Sequence, residues 1–405
     1  MRKLTIVFFD AGGGHRNAAE ALKSILEKQP QPWEVGLMNV QEQLDSLDIV
    51  RRATGIRIQD SYNLILRKGW TRPTARLLIL LRAVIRLHHA KTVALLENYW
   101  RRNPTDLVLS VIPLFNRALS DSLRQAVPGT AFATLLTDLA DFPPHFWIEN
   151  ESECLICGTE RAEQQALDMG HSRHRVFRTS GMILKPKFYE RRPLDVAAER
   201  RRLGLDPALP TGIVLFGGHG APVMTQIAKS LQETADKLQL IMICGHNEKL
   251  RAALEKIPRN KLMFVEGFTS DVAHDMSLAD FFIGKPGPGS ISEALQCGLP
   301  VIIESNSKTM PQERYNAEWV TEKGLGIVLN SFSDIAAGVH HLLERPTFER
   351  IRQNVMAYSN RALFEIPSIL DEILERHVPY SVPVLPPVTT ATREIGQDAA
   401  WASLT

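Results

Sequence analysis

Leu4-Thr-Ile-Val-Phe-Phe-Asp-Ala-Gly-Gly-Gly-His15 opens with a six-residue, β-rich run that is apolar but for Thr5 and continues as a glycine loop, and Arg16 to Gln29 follows with Ala18, Ala21, Leu22 and Ile25 on one helical face. A continuous apolar run of this length suits a strand covered on both faces of a parallel sheet. Strand, glycine loop and helix together open a βαβ unit. The same succession returns at Thr211–Phe216, Gly217-Gly-His-Gly220 and Pro222–Leu238. Around the first opening, strands are expected at Glu34–Val40, Asp106–Val111, Ala131–Thr137, Cys154–Cys157 and Val176–Thr179. Around the second they are expected at Leu240–Cys244, Leu262–Val265, Asp280–Gly284, Pro300–Glu304 and Gly326–Leu329. Strands alternating with helices give an α/β architecture with parallel sheets.

Between the two series, Lys185 to Pro210 is charged and carries Pro186, Pro193, Pro207 and Pro210, which marks a domain boundary. The expectation is two Rossmann-like domains, 1–190 and 191–347. A helix over about 348–378 rejoins the first, and a proline-containing tail follows at 379–405. A chain of 405 residues supports two such cores. Four cysteines are too few for a disulfide framework, so a reducing, cytoplasmic setting is expected. With 44% hydrophobic and 23% charged residues, coiled-coil, collagen-like and wholly disordered classes are excluded.

The net charge of +2 conceals a polarity. Residues 51–102 hold twelve Arg or Lys and only Asp60 and Glu97 as acids, so this segment carries +10 and the remainder −8. Thr71–Tyr99 sets Leu77, Leu78, Leu81, Val84 and Ile85 against Arg72, Arg76, Arg82, Arg86 and Lys91. Such a basic amphipathic helix reads as a peripheral anchor on an anionic membrane surface. A solvated face is the plainer account. Nucleic acid is not expected as a partner, because the segment offers few aromatics for base stacking. No uninterrupted apolar stretch approaches the ~20 residues of a membrane span.

Three segments can carry chemistry. Gly12-Gly-Gly-His15 lets backbone approach a ligand at a helix N-terminus and presents His15, a candidate general base; a tight turn is the plain alternative. Phe216-Gly-Gly-His-Gly220 repeats that logic. In Gly284-Lys-Pro-Gly-Pro-Gly-Ser-Ile-Ser-Glu-Ala-Leu295, Ser290 and Glu293 read either as a capping box or as a diphosphate and ribose site. Gln312-Glu313 could hydrogen-bond a hexose or cap the next helix. Cys154-Leu-Ile-Cys157 reads as buried structural thiols, and neither a P-loop nor an Asp-x-Asp motif is present. His88–His89 and His340–His341 read as solvated helix-surface histidines.

Taken in order from Leu4 to Leu370, these motifs resemble the monogalactosyldiacylglycerol synthase, or processive diacylglycerol glycosyltransferase, group of GT-B glycosyltransferases. More distantly they resemble the lipid II N-acetylglucosaminyltransferase. The resemblance is carried by Gly12-Gly-Gly-His-Arg-Asn-Ala-Ala-Glu20, Asp106-Leu-Val-Leu-Ser-Val-Ile-Pro113, Thr137-Asp138-Leu139 and Ser180-Gly181. Ile243-Cys-Gly-His-Asn-Glu-Lys-Leu250, Glu266-Gly-Phe268, Gly287-Pro-Gly-Ser-Ile-Ser-Glu-Ala-Leu295 and Gln312-Glu313 complete it. It implies a GT-B fold with an interdomain cleft, acceptor and lipid on the first domain and the nucleotide-sugar on the second. It also implies inverting transfer of a hexose from a UDP-sugar to a lipid hydroxyl, most simply diacylglycerol, in glycolipid biosynthesis at the inner face of a cell membrane.

By that match His15 deprotonates the acceptor, with Gly13, Gly14, Asp138 and Trp147 beside it. Phe268 lies at the uracil, and Pro288, Gly289 and Ser290 at the diphosphate. Glu293 binds the ribose, Gln312 and Glu313 the sugar, and Gly217, Gly218 and His219 face the phosphates. No metal or other cofactor is expected. Ile112 stands where the family usually has His, the second loop has His219, and Phe146-Trp147 is shifted by one, so galactose, glucose and N-acetylglucosamine stay open. A UDP-N-acetylglucosamine 2-epimerase-like isomerase and a non-catalytic nucleotide-sugar or lipid-binding protein are the alternatives.

Overall fold

A computed structural model describes residues 1–10, 13–44, 82–149, 154–190 and 193–377. Arg72, Arg76 and the tail 379–405 lie outside the described residues. The first sheet contains β1 (Arg2–Phe8), β2 (Trp33–Asn39), β3 (Leu107–Ser110), β4 (Ala131–Leu135), β5 (Cys154–Cys157) and β6 (Val176–Arg178). Their order is β2-β1-β3-β4-β5-β6, all parallel. The second contains β7 (Thr211–Leu215), β8 (Gln239–Ile243), β9 (Met263–Glu266), β10 (Phe281–Gly284), β11 (Val301–Glu304) and β12 (Gly326–Leu329), ordered β12-β11-β10-β7-β8-β9 and again parallel. Two six-stranded α/β sheets with helical crossovers make the GT-B architecture. The strands β3, β7 and β8 are buried along their whole length, which explains their largely apolar sequence.

The helices that matter below are α1 (Gly14–Leu26), α2 (His89–Arg102), α3 (Asn116–Ala126) and α4 (Val196–Arg202). After them come α5 (Glu248–Glu255), α6 (Pro288–Gln296), α7 (Arg314–Glu322), α8 (Arg345–Ala357) and α9 (Ala362–Arg376). Each sheet reverses its strand order once, between β1 and β3 and between β7 and β10. In open parallel sheets a crevice forms beyond the carboxyl ends of the strands at such a point, and ligands bind there. The loops leaving β1 and β7 are the two glycine loops, and the loop leaving β10 begins at Lys285.

The single helix expected over 348–378 is two. α8 packs Ile351 and Val355 into the second core, whereas α9 packs Leu363, Ile366, Leu370 and Ile373 into the first. The break has a tertiary cause. Asn360, 2% exposed, donates from Nδ2 to the Met182 carbonyl (2.8 Å) and accepts the Ala362 amide (3.1 Å), while the Arg361 amide donates to Ser180 Oγ (2.7 Å). The returning chain thus crosses directly over Ser180-Gly181-Met182, and a Cβ on Gly181 would stand 2.5 Å from the Tyr358 hydroxyl. The basic segment also differs from one continuous amphipathic helix. Residues 82–87 are helical, the chain turns at His88, and α2 buries Val93, Leu96 and Trp100 against the core. Among the described residues no helix is long and apolar enough to cross a membrane.

One buried charge ties the segment after the first sheet to the second core. Arg200 on α4, 6% exposed, donates to the carbonyls of Leu278 (2.9 Å), Pro207 (3.2 Å) and Leu209 (3.4 Å) and to Asp280 Oδ2 (2.9 Å), which also accepts the Thr211 amide. Removing Arg200 takes the donor from three carbonyls, while Asp280, 31% exposed, keeps the Thr211 amide. Arg200→Ala is therefore expected to cost about 1–3 kcal/mol, as loss of hydrogen bonds to a charged group does, read as a lowered denaturant midpoint with an unchanged slope.

Candidate functional site

His15 stands in the first turn of α1, launched by Gly13 in a left-handed conformation (φ 80°) that favours glycine. The ring is held from behind. Its Nδ1 lies 2.7 Å from the Val111 carbonyl oxygen and 3.0 Å from Thr137 Oγ1. A carbonyl only accepts, so Nδ1 carries the proton and Nε2 keeps its lone pair. Val111 directly follows β3, which places His15 at the reversal point of the first sheet. Phe9 and Trp147 flank the ring at 4.8 and 5.9 Å between centroids. Burial lowers the imidazole pKa to about 4, against the opposing pull of the Val111 carbonyl, so His15 is neutral at pH 7.

Trp147 is fully buried beside His15. Its indole N–H donates to Asp138 Oδ2 (2.8 Å). Its backbone amide, with those of His145 and Phe146, donates to the buried Asp141 carboxylate, and Asn116 Nδ2 donates to its carbonyl (3.0 Å). Trp147 is the wall that sets both His15 and Asp138. Burial raises the Asp138 pKa to about 7; the Trp147 N–H opposes this, and Glu313 raises and Lys285 lowers it from the second half of the chain. These charges couple Asp138 electrostatically to the second half. Phe142 and Tyr315 add a ring contact between the halves at 6.1 Å.

In the second half, the loop after β7 turns on Gly217 (φ 74°) and Gly220 (φ 56°). The His246 amide donates to the Gly218 carbonyl (2.9 Å), and a Cβ on Gly245 would lie 2.2 Å from that oxygen, so only glycine fits there. Asn247 Nδ2 also reaches the His219 carbonyl (3.2 Å). Phe268, 59% exposed, stacks on His246 at 4.1 Å and 15°, with the His219 ring 5.9 Å from that of His246.

The helix α6 starts at Pro288 rather than after a Ser290 cap, because Gly287 is the N-cap and proline suits the first helical position. Ser290 Oγ instead donates to the Gly287 carbonyl (3.2 Å). The amides of Gly289 and Ser290 are thus among the first-turn groups that a helix leaves without an internal acceptor, at its positive end. Glu293, one turn in, is partly buried, and burial raises its pKa to about 7, with Lys185 opposing. Gln312 and Glu313 are buried in a tight turn before α7, and Glu313 Oε1 accepts from Lys285 Nζ (3.1 Å). Asn316 holds that loop by donating to the Pro286 carbonyl (2.7 Å).

The structure therefore gathers His15, Asp138 and Trp147 at one sheet reversal, and the glycine loop, α6 and Gln312-Glu313 at the other. Sequence reasoning gave no role to Thr137, Asp141, His246, Lys285 or Asn316. Thr137, His246 and Lys285 stood inside quoted segments, but only the fold reveals what they touch. Ile112 is core. Cys157 and Cys244 are buried and Cys154 and Cys297 partly buried, and none of the four is disulfide-bonded. Among the described residues no group of three His, Cys, Asp or Glu could hold a metal ion. Arg82, distant in sequence, donates to the Pro144 carbonyl (3.0 Å) beside the Trp147 turn.

Residues 212–364, which contain the second sheet and its loops, match the glycosyltransferase family 28 C-terminal domain. The chain is a GT-B glycosyltransferase. Over 93% of its length this glycosyltransferase is 26% identical to a chloroplastic monogalactosyldiacylglycerol synthase of spinach (Spinacia oleracea), 73% of which is covered. Its fold is shared with MurG of Acinetobacter baumannii (TM-score 0.59, 13% identity, 92% of this chain and 99% of that one). The fold is also shared with a putative UDP-N-acetylglucosamine 2-epimerase of Listeria monocytogenes (TM-score 0.60, 13% identity, 95% and 100%).

Proposed function

We propose that this glycosyltransferase moves a hexose from a UDP-sugar to the hydroxyl of a diacylglycerol-type lipid, with inversion at the anomeric carbon. One observation carries the reading: Nδ1 of His15 is tied to the Val111 carbonyl, which leaves an unprotonated Nε2 as a base at the sheet reversal. His15 takes the acceptor proton, and Gly13 and Gly14 bring backbone close to that group. The α6 amides of Gly289 and Ser290, with Pro288 fixing the turn, hold the diphosphate, and Gly217, Gly218 and His219 close over it. Glu293 accepts from the ribose, Gln312 and Glu313 from the sugar, and Phe268 lies against the uracil. Oriented amides stabilise a departing diphosphate without a metal ion.

The lipid part is supported by the spinach relative's name and by a basic groove. Arg82, Ala83, Arg86 and Leu87 line about 660 Å³, Leu87 is 81% exposed, and Arg82 is bonded to the Trp147 turn. This groove would seat the enzyme peripherally on an anionic membrane face, with Arg72 and Arg76 extending the same segment.

Purified protein, radiolabelled UDP-hexoses and liposomes containing diacylglycerol provide the test. Label in the lipid phase, unaffected by EDTA, supports the reading. Epimerised sugar nucleotide formed without lipid would overturn it in favour of an isomerase on the same fold. Binding without turnover would favour a non-catalytic nucleotide-sugar binder.

A further inference from the structure

Transfer breaks the bond between the anomeric carbon and a phosphate oxygen as the acceptor oxygen bonds to that carbon. The electron pair leaves on the phosphate, and the acceptor proton passes to His15 Nε2. The leaving diphosphate thus gains a full negative charge, while a helix N-terminus supplies only about half a positive one. A side-chain cation at that spot would complete the site.

We infer that Lys285 is that cation, an inference that rests on the reading above. Lys285 leaves the end of β10 at the sheet reversal, directly before α6. Its stem folds back over Gly287: a Cβ built there would lie 3.2 Å from Lys285 Cε, 3.6 Å from Nζ and 3.4 Å from Ser290 Oγ. The ammonium therefore hangs at the mouth of the first turn whose amides would cradle the diphosphate. It also donates to Glu313 Oε1 (3.1 Å), the carboxylate proposed for the sugar, and it acts electrostatically on Asp138 across the cleft. It remains 42% exposed, so a ligand can reach it. The Asn316 bond to Pro286 fixes the adjoining backbone. Phosphate, sugar carboxylate and acceptor side converge on this one ammonium.

Calorimetry with UDP and with uridine, paired with turnover, tests the inference. Lys285→Met should weaken UDP binding about 10- to 100-fold, as loss of a charge-assisted hydrogen bond does. Uridine, which has no phosphate, should bind within about twofold of wild type, and kcat should fall about 100-fold or more. Glu313→Gln should leave UDP affinity nearly unchanged. If Lys285 only positions Glu313, the two variants will lose turnover alike while both bind UDP as wild type does, and the inference is overturned. Should Lys285→Met fail to fold, Lys285→Gln carries the same comparison. Wild-type protein that binds no UDP would overturn the donor reading itself, and this inference with it.

Discussion

His15→Ala is expected to lower kcat for lipid glycosylation by about 10²- to 10⁴-fold, the range for losing a general base, while UDP affinity stays within about threefold. The split follows from position. His15 belongs to the first sheet, and the proposed donor groups (Gly289, Ser290, Glu293 and Gln312-Glu313) all belong to the second. A base that touches the acceptor alone contributes to the transition state and not to nucleotide binding. The pH profile separates His15 from its neighbour Asp138. Burial holds the His15 pKa near 4, so its lone pair is available throughout pH 6–8 and is lost only as the pH falls through that value. Asp138, raised to about 7, ionises inside the working range and would give a limb there. If His15→Ala retained most of its turnover, with a limb near pH 7 that Asp138→Asn removed, Asp138 would be the base and His15 a support for it.

Much of this arrangement is legible in the sequence, because parallel strands buried on both faces must be apolar throughout. Val214, Ile241 and Ile283 could hardly stand elsewhere, and the glycine loops mark where the chain leaves β1 and β7. Features decided by distant partners are not legible. The sequence does not show that the helix ends at Tyr358 where Asn360 and Arg361 bond to Met182 and Ser180. Ser290 looks like a cap until Pro288 is seen to take the first helical position. Nothing in the sequence around Phe146-Trp147 shows that Asp141 draws their amides inward. The charge pattern behaves similarly: Arg82 is one of many cations in the sequence, and only the fold puts it on the turn that supports Trp147.

Glu293→Gln should weaken UDP binding about tenfold and Glu293→Ala about 10- to 100-fold, the worth of hydrogen bonds to a charged group. Glu293 is ionised with difficulty, since burial raises its pKa to about 7. If the carboxylate accepts from both ribose hydroxyls, as proposed, the ratio of wild-type to Glu293→Gln affinity should rise from pH 6 to pH 8. Taking the ratio cancels the titration of UDP itself. The sign for stability is opposite. A carboxyl whose pKa is higher folded than unfolded binds more protons in the native state, so its contribution falls as the pH rises from the ordinary glutamate range through 7. Glu293→Gln removes that cost and should be more stable than wild type at pH 8, by on the order of 1–3 kcal/mol, with the difference closing toward pH 5. A carboxylate kept for packing alone would lose stability on substitution and leave UDP affinity untouched. A variant that binds the nucleotide less tightly yet resists denaturant better is what a ligand group, held charged at the expense of the fold, must give.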